Sequence, residues 1–326
     1  LIISGDLDVN DGTIKLDGDY PTGTGNVALG DTALSSGSLS GAQNTAIGSG
    51  VMAANTSGTR NTAVGYQSLD ANTEGDDNVA IGRRSLTIQT TGNNNVAVGT
   101  QALALNQTGS DNTAVGADSL LANTTGVRNV AVGYASGDAN TTGDDGTFIG
   151  YAAGGANTTA HDNVAVGNFA FDANTTGASN TAIGRSALSG NTTASNNTAV
   201  GYSALLTNTT ASENTVVGYQ AAYSNTTGTL NVAVGSQALA DNTTGSSNVA
   251  IGREALHTST TASDNVAVGK HSLRVSTTGH NNVAVGKDAL SANTTAYNNV
   301  AVGYQAGLGI TTATNAVAIG YKAGLG

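Results

Sequence analysis

The sequence has no cysteine and no tryptophan, a single proline and few charged residues. Without cysteine, neither a disulfide scaffold nor a thiolate metal site can form. Charged residues make up only 10% of the chain, which excludes a charge-rich disordered protein. No apolar run reaches the length of about 18 residues that indicates a membrane-spanning helix, so we expect no membrane insertion.

Positive charge is also scarce. The chain has 11 Lys and Arg residues against 22 Asp and Glu, and its formal net charge is −11. Binding to nucleic-acid phosphates needs clustered cations, whereas here the cations are dispersed, so we expect no nucleic-acid partner. The first residues, LIISGDLDVNDG, lack both an initiator Met and the basic and apolar regions of a signal peptide. These features favour a fragment or a processed chain.

Glycine, by contrast, is abundant and regularly spaced. A glycine closes a short apolar triplet at every seventeenth position from Gly48 to Gly320, and the first step, from Gly30 to Gly48, is one residue longer. A fixed short period is the signature of a solenoid, in which chain length counts coils rather than domains. We expect an irregular β lead-in over residues 1–25 and a solenoid of about eighteen repeats over residues 26–326.

The triplet before each glycine predicts a β-strand. With the glycine as position 0, from Gly48 onward position −1 is Val or Ile, position −3 is Val or Thr, and position −2 is almost always Ala. β-branched residues on either side of a small one follow the period of two that is typical of strands. Positions −3 and −1 therefore share one face and Ala lies on the other. We expect the bulky pair to pack inside the coil and the Ala face to approach a partner chain.

Two further columns of the repeat have structural roles. The glycine is expected at a corner where φ is positive or where no Cβ fits. Asn at position −4 suits a turn, and amides stacked one coil apart can form a ladder. The corner residues include Gly65, Gly82, Gly99, Gly116, Gly201, Gly235 and Gly286. The ladder residues include Asn61, Asn78, Asn95, Asn112, Asn163, Asn231 and Asn282.

The rest of the coil is an apolar pair at positions +3 and +4, followed by NTTG or NTTA at positions +7 to +10. We interpret the second phrase as another short strand and corner. A coil this small encloses about five apolar side chains, too few to offset the conformational entropy of a chain folding alone. The pattern therefore indicates an all-β solenoid of stacked coils that needs a partner chain.

The phrases NNVAVGYQAG, SNTAIGRSAL and SNVAIGREAL resemble the head repeats of YadA-like trimeric autotransporter adhesins, and the NTAVGYQ and NTTG arrays resemble phage tail fibres. The resemblance covers residues 26–326. It implies a left-handed parallel β-roll in an intertwined homotrimer, although general crossover statistics favour the right hand. The chain departs from adhesin heads in its longer coil of seventeen and its lack of a heptad stalk, which favours the phage type.

Position +1 carries the candidate receptor contacts. A column of Tyr and Arg along a rod can bind surface glycans by stacking and bidentate hydrogen bonds. The alternative is that these long side chains shield the coil edge and stack on each other. The candidates are Tyr66, Tyr134, Tyr151, Tyr202, Tyr219, Tyr304, Tyr321, Arg83, Arg185 and Arg253.

Other polar columns contain residues that could transfer protons, bind a metal or carry a glycan. For each of them a structural interpretation is favoured. Glu254, His271 and Asp288 stack at position +2, where surface charge pairing is favoured over proton transfer because a convex rod has no water-excluding pocket. The Asp residues at position −5 do not lie in the nonapeptide repeat that binds calcium, so a metal site there is disfavoured. The NTT triplets match the acceptor motif for N-glycosylation, but they arise because one column of the repeat recurs from coil to coil, and we interpret them as structural. The alternative metal column comprises Asp77, Asp111, Asp145, Asp162 and Asp264.

Three functions of different class remain open from the sequence. The first is a non-enzymatic phage tail-fibre shaft in the virion, which presents a glycan or protein receptor-binding surface to host cells. The second is the head of a bacterial adhesin at the cell surface. A glycan-cleaving tailspike ranks below both, because the regular repeat leaves no insertions to build a catalytic groove. Stacked Thr residues leave ice binding as a minor alternative. No cofactor is expected.

Overall fold

Each coil of the chain contains one three-residue strand, and the strands stack into a single parallel sheet. The computed structural model describes residues 24–324, and this part of the chain contains strands and turns but no helix. Strands that follow one another in sequence pair with one another, which gives an 18-stranded sheet. The strands are β1 (Val27–Leu29), β2 (Thr45–Ile47), β3 (Thr62–Val64), β4 (Val79–Ile81), β5 (Val96–Val98), β6 (Thr113–Val115), β7 (Val130–Val132), β8 (Thr147–Ile149), β9 (Val164–Val166), β10 (Thr181–Ile183), β11 (Thr198–Val200), β12 (Thr215–Val217), β13 (Val232–Val234), β14 (Val249–Ile251), β15 (Val266–Val268), β16 (Val283–Val285), β17 (Val300–Val302) and β18 (Val317–Ile319).

The register of the sheet follows the repeat. Thr45 of β2 pairs with Thr62 of β3, its equivalent in the next coil, and the same offset continues through the later pairs. Only the first step differs, since the offset between Val27 and its partner Thr45 is one residue longer. The predicted all-β parallel solenoid and its atypical first coil are confirmed. Most of the predicted lead-in, residues 1–23, lies outside the described residues.

The two faces of each strand are the reverse of the prediction. The Ala at position −2, such as Ala199 in β11, is completely buried inside the coil. The side chains beside it point outwards, and Ile183 and Val217 are 40% and 37% exposed. The predicted contact of the Ala face with a partner chain is therefore wrong. The coil is so thin that, once a Leu from the opposite side fills it, only a small side chain fits on the strand.

The interior of the coil is built from small, branched and amide side chains. Leu at position +4, such as Leu69 and Leu205, is fully buried against the Ala of the strand. Ser68, at position +3, is also buried and donates its hydroxyl hydrogen to the carbonyl oxygen of Ala80 at 2.8 Å. The apolar core is thus one narrow column that runs the length of the sheet.

The predicted second strand at the NTTG phrase does not form. The backbone N–H groups of Thr56 and Ser57 both donate to the carbonyl oxygen of Thr73 in the next coil, at 3.0 and 2.9 Å. The hydroxyl of Thr56 donates to the same oxygen at 2.9 Å. The same oxygen also accepts the N–H of Gly58 at 3.2 Å. Because one carbonyl accepts all four bonds, neighbouring coils are joined here at a single point and not by a β ladder.

Three positions of the coil adopt left-handed backbone conformations, mostly with non-glycine residues, as Gln67, Leu69 and Asp77 do with φ of 51°, 53° and 58°. Their backbone N–H groups donate to carbonyls of adjacent coils at 2.9 to 3.0 Å. These residues sit at positions +2, +4 and −5, where the chain must turn. Backbone hydrogen bonding between coils therefore continues around the corners as well as along the strands.

Candidate interaction surfaces

The predicted corner glycines lie where the backbone requires them. The seven named above have φ between 133° and 142°, in the region that side chains rarely adopt. A Cβ built on Gly235 would lie 2.7 Å from the carbonyl carbon and oxygen of Gly252 in the next coil. The positive φ and the lack of space for a Cβ therefore both require glycine here, and these residues allow the coils to stack closely.

The predicted asparagine ladder at position −4 is present. The Oδ1 atom of Asn61 accepts the backbone N–H of Asn78, one coil later, at 2.9 Å. Its Nδ2 group donates across the interior to the carbonyl oxygen of Gly75 at 2.8 Å. All seven predicted ladder residues are buried. The amides satisfy backbone groups that would otherwise be unpaired inside the coil.

A second asparagine ladder at position +7 was not predicted. The Nδ2 group of Asn72 donates to Oδ1 of Asn55 in the previous coil at 2.9 Å and to the carbonyl oxygen of Gly75 at 3.1 Å. The two ladders therefore converge on the carbonyl at position +10. Its sequence signal was the Asn of NTT, which was correctly interpreted as structural. A buried Asn amide is not available for glycosylation in the folded chain.

The second ladder is interrupted near the C-terminal end of the rod. Ser259 and Ser276 take the place of Asn, and both are fully buried. Their hydroxyls have no hydrogen-bond partner among the described residues, nor has Oδ1 of Asn242 in the preceding coil. A serine is too short to reach the next coil, so this part of the interior has weaker coil-to-coil hydrogen bonding.

The candidate receptor column at position +1 forms aromatic stacks. Tyr134 and Tyr151 stack with ring centroids 5.4 Å apart, as do Tyr202 and Tyr219 at 5.5 Å. The guanidinium of Arg185 lies 5.9 Å from the ring centroid of Tyr202. Stacking covers the ring faces that would contact a sugar, which favours the shielding interpretation. Glycan binding by this column stays a prediction.

The carboxylates and histidine at position +2 form an ion-pair network. Nε2 of His271 lies 3.3 Å from Oε2 of Glu254, and its Nδ1 lies 3.2 Å from Oδ1 of Asp288. Arg253 and Arg274 contact Glu254 at 2.7 and 3.2 Å. Burial disfavours ionisation of Glu254, but the hydrogen bond from Arg253 and the surrounding positive charges outweigh it and lower its pKa. These contacts confirm the charge-pairing interpretation.

In the Asp column at position −5, two residues pair with arginine and Asp111 accepts a hydrogen bond from Nδ2 of Asn94 at 3.0 Å. Asp77 accepts hydrogen bonds from Arg60 at 2.6 and 2.7 Å, and Asp145 contacts Arg128 in the same way. The hydrogen bond from Arg60 lowers the pKa of Asp77. Within residues 24–324, no group of three or more acidic or histidine side chains is placed to hold a metal ion.

The outward side chains at positions −3 and −1 of the strands form one long apolar surface, which we call the outer strip. Ile81, Val132, Ile183, Val217 and Val302 are each 37% to 40% exposed. Because the strands are in register, these side chains line up along the whole sheet. Apolar surfaces of this extent mark interaction sites in soluble proteins. Sequence reasoning missed the strip because it assigned these side chains to the interior.

Comparison with protein-family models, with curated proteins and with solved structures finds no match to this chain. In residues 24–324 there is also no helix with the length and apolar character needed to cross a membrane. The surfaces described above are therefore the observations from which a function is inferred.

Proposed function

We propose that the chain is the rigid, non-enzymatic shaft of a fibre of the phage tail type, assembled as a homotrimer through the outer strip. Its role is to hold receptor-binding surfaces away from the particle and against a host cell. The observation that carries this proposal is the outer strip, an apolar surface along the entire described sheet that a single chain leaves in water.

The energetics of the strip favour assembly. Each strand exposes two side chains, usually both β-branched, and covering what is exposed of one contributes about 1 kcal/mol. Association costs about 4–15 kcal/mol in rigid-body freedom and more for ordering side chains. A contact over several coils exceeds that cost, and the strip spans eighteen strands. Closed cyclic symmetry covers the strip in every subunit, and the number three comes from the resemblance to fibre repeats.

A shaft also fits the chemistry of the polar columns. The carboxylates most suggestive of a reaction, Glu254 and Asp77, are held by arginines on a convex surface. The regular coils provide no insertion that would wall a groove around them. Exposed Tyr and Arg side chains at position +1 remain as surface groups for a receptor.

Charge placed on the outer strip tests the assembly. The quintuple variant Ile81→Lys, Val132→Lys, Ile183→Lys, Val217→Lys, Val302→Lys should abolish the trimer. It leaves no more than four successive strands of native strip, and five ammonium groups per chain would be desolvated in the interface. Light scattering at micromolar concentration should give three times the chain mass of 31.9 kDa for the wild type and one chain for the variant. The far-ultraviolet circular dichroism of the two proteins should match, since all five side chains point out of the coil.

Two control variants separate assembly from folding. Tyr202→Ala lies outside the strip and should remain trimeric. Ala199→Tyr places a large ring inside the coil, where the native side chain is completely buried, and should disrupt the β structure itself. A wild-type monomer, or a quintuple lysine variant that keeps the trimer mass, contradicts the proposed assembly.

A further inference from the structure

Position +5 of the repeat varies from coil to coil, and three successive coils combine two rings with a small side chain there. Position +5 carries Tyr223, then Ala240, then His257, so two rings flank a small side chain. The remaining coils carry no ring at position +5. Ala240 is 6% exposed and lies at the bottom of the gap between the rings. This combination therefore creates a local slot on the surface.

The slot is a cleft of about 310 Å³. It is lined by Gln220, Tyr223, Gln237, Ala240, Asp241 and His257. Adjacent coils of a parallel sheet lie about 4.8 Å apart, so the two ring-bearing positions are about 9.6 Å apart. A ring inserted between two others needs a carbon-to-carbon contact of about 3.5–4.0 Å on each side. The slot can therefore hold one six-membered ring above Ala240.

The polar groups at the slot have unused hydrogen-bonding capacity. The side-chain amides of Gln220 and Gln237 have no partner among the described residues. Nδ1 of His257 is buried without a hydrogen bond, 3.6 Å from Oδ2 of Asp241. The Asp241 side chain is 49% exposed, so its carboxylate can accept hydrogen bonds from a group bound in the slot.

We propose that this slot binds one neutral pyranose unit of a cell-surface polysaccharide. The C–H faces of a pyranose pack against aromatic rings, and its hydroxyls match the amides and the Asp241 carboxylate. The carboxylate and the net charge of −11 disfavour acidic sugars. The slot and its preference for a sugar are argued from the residues alone. Only the statement that the sugar comes from a cell surface rests on the proposed fibre function.

Filling the slot provides the test. Saturation-transfer NMR with the methyl glycosides of glucose, galactose, mannose and N-acetylglucosamine, at millimolar concentration, should show transfer to at least one of them. Ala240→Leu should reduce that transfer at least tenfold, because the added side chain occupies the gap. The substitution should preserve the fold, since Leu121, Leu206 and Leu308 occupy the same position in other coils.

The matched control is Ala104→Leu. Ala104 is also at position +5 and is 5% exposed, but Thr87 and Leu121 flank it instead of rings. This variant should bind like the wild type, whereas Tyr223→Ala should lose binding by removing one wall. Absence of transfer to all four glycosides, or equal binding by the two leucine variants, overturns the slot. Light scattering reports the assembly separately, so a trimer that binds no sugar overturns the slot alone.

Discussion

At the scale of single residues, the interior of the coil keeps a nearly constant volume by exchanging side chains across it. Phe148 replaces Ala on strand β8 and is fully buried. The residues that face it, Gly137, Gly146 and Gly154, have lost their side chains. A Cβ on Gly137 would lie 2.7 Å from Cδ2 of Phe148, and one on Gly146 would lie 2.7 Å from its Cε2. The ring therefore occupies space that Leu and Asn fill in other coils.

A double-mutant cycle tests this exchange. Phe148→Ala should lower the free energy of unfolding by about 3–5 kcal/mol, because it leaves a cavity facing three glycines. Gly154→Leu should also destabilise the chain, because the added side chain would overlap the ring. The double variant should recover part of the loss, since Leu occurs at this position elsewhere with a similar φ. Urea unfolding measures the coupling, and strictly additive effects would contradict the exchange.

The sequence shows the substitutions at Phe148 and Gly146 but not that they compensate each other. That conclusion requires knowledge of which faces meet inside the coil. The left-handed conformation of Leu69 could not be predicted either, because leucine has no preference for positive φ. It is imposed by burial of the side chain and by hydrogen bonding to the next coil.

At the scale of one element, the corner after each strand decides whether coils can stack. Gly235→Ala combines two costs, a φ of 134° and a Cβ 2.7 Å from the carbonyl group of Gly252. Gly320→Ala has a φ of 123°, but its Cβ would meet no atom within 4 Å. The second variant isolates the conformational cost, about 1–3 kcal/mol, from the steric one.

Hydrogen exchange of strand amides should separate the two variants. Gly235→Ala should accelerate exchange in β13 and β14, because the carbonyl of Gly252 must move and the strand pairing with it. Gly320→Ala should change exchange in β17 and β18 much less. Equal effects would mean that backbone conformation alone, and not close stacking, requires glycine at the corner.

The position of each strand was predictable, whereas the orientation of its faces was not. A period of two separates two faces but does not identify the buried one, and in the triplet Thr198–Val200 either assignment matched the pattern. The small cross-section of the coil determines which face is buried, because an interior that already holds Leu205 and two columns of Asn has room only for Ala. The ladder at −4 was predictable because Asn recurs immediately before nearly every strand, whereas Asn at +7 was assigned to a second strand that does not form.

At the scale of the whole molecule, the constant length of the coil keeps every column aligned. The corner glycines, both asparagine ladders and the outer strip all require that equivalent residues lie one above another. The period and the parallel sheet could be predicted from sequence because the same residue types recur at the same positions from coil to coil. The slot at Tyr223 and His257 could not be predicted, since it depends on three individual residues at a position that varies from coil to coil.

Deleting one complete coil tests this dependence. Removal of residues 193–209 joins Thr192 to Thr210 and recreates the phrase NTTA with every column in register. We expect the shortened chain to keep its circular dichroism and nearly the same unfolding temperature, because solenoid stability is a sum over neighbouring coils. Removal of residues 193–210 takes out one residue more and leaves one coil a residue short. That coil cannot reach both the corner and the two ladders, so its neighbours should open locally and exchange amide hydrogens faster. If the two deletions behave alike, the alignment of columns does not hold the rod together.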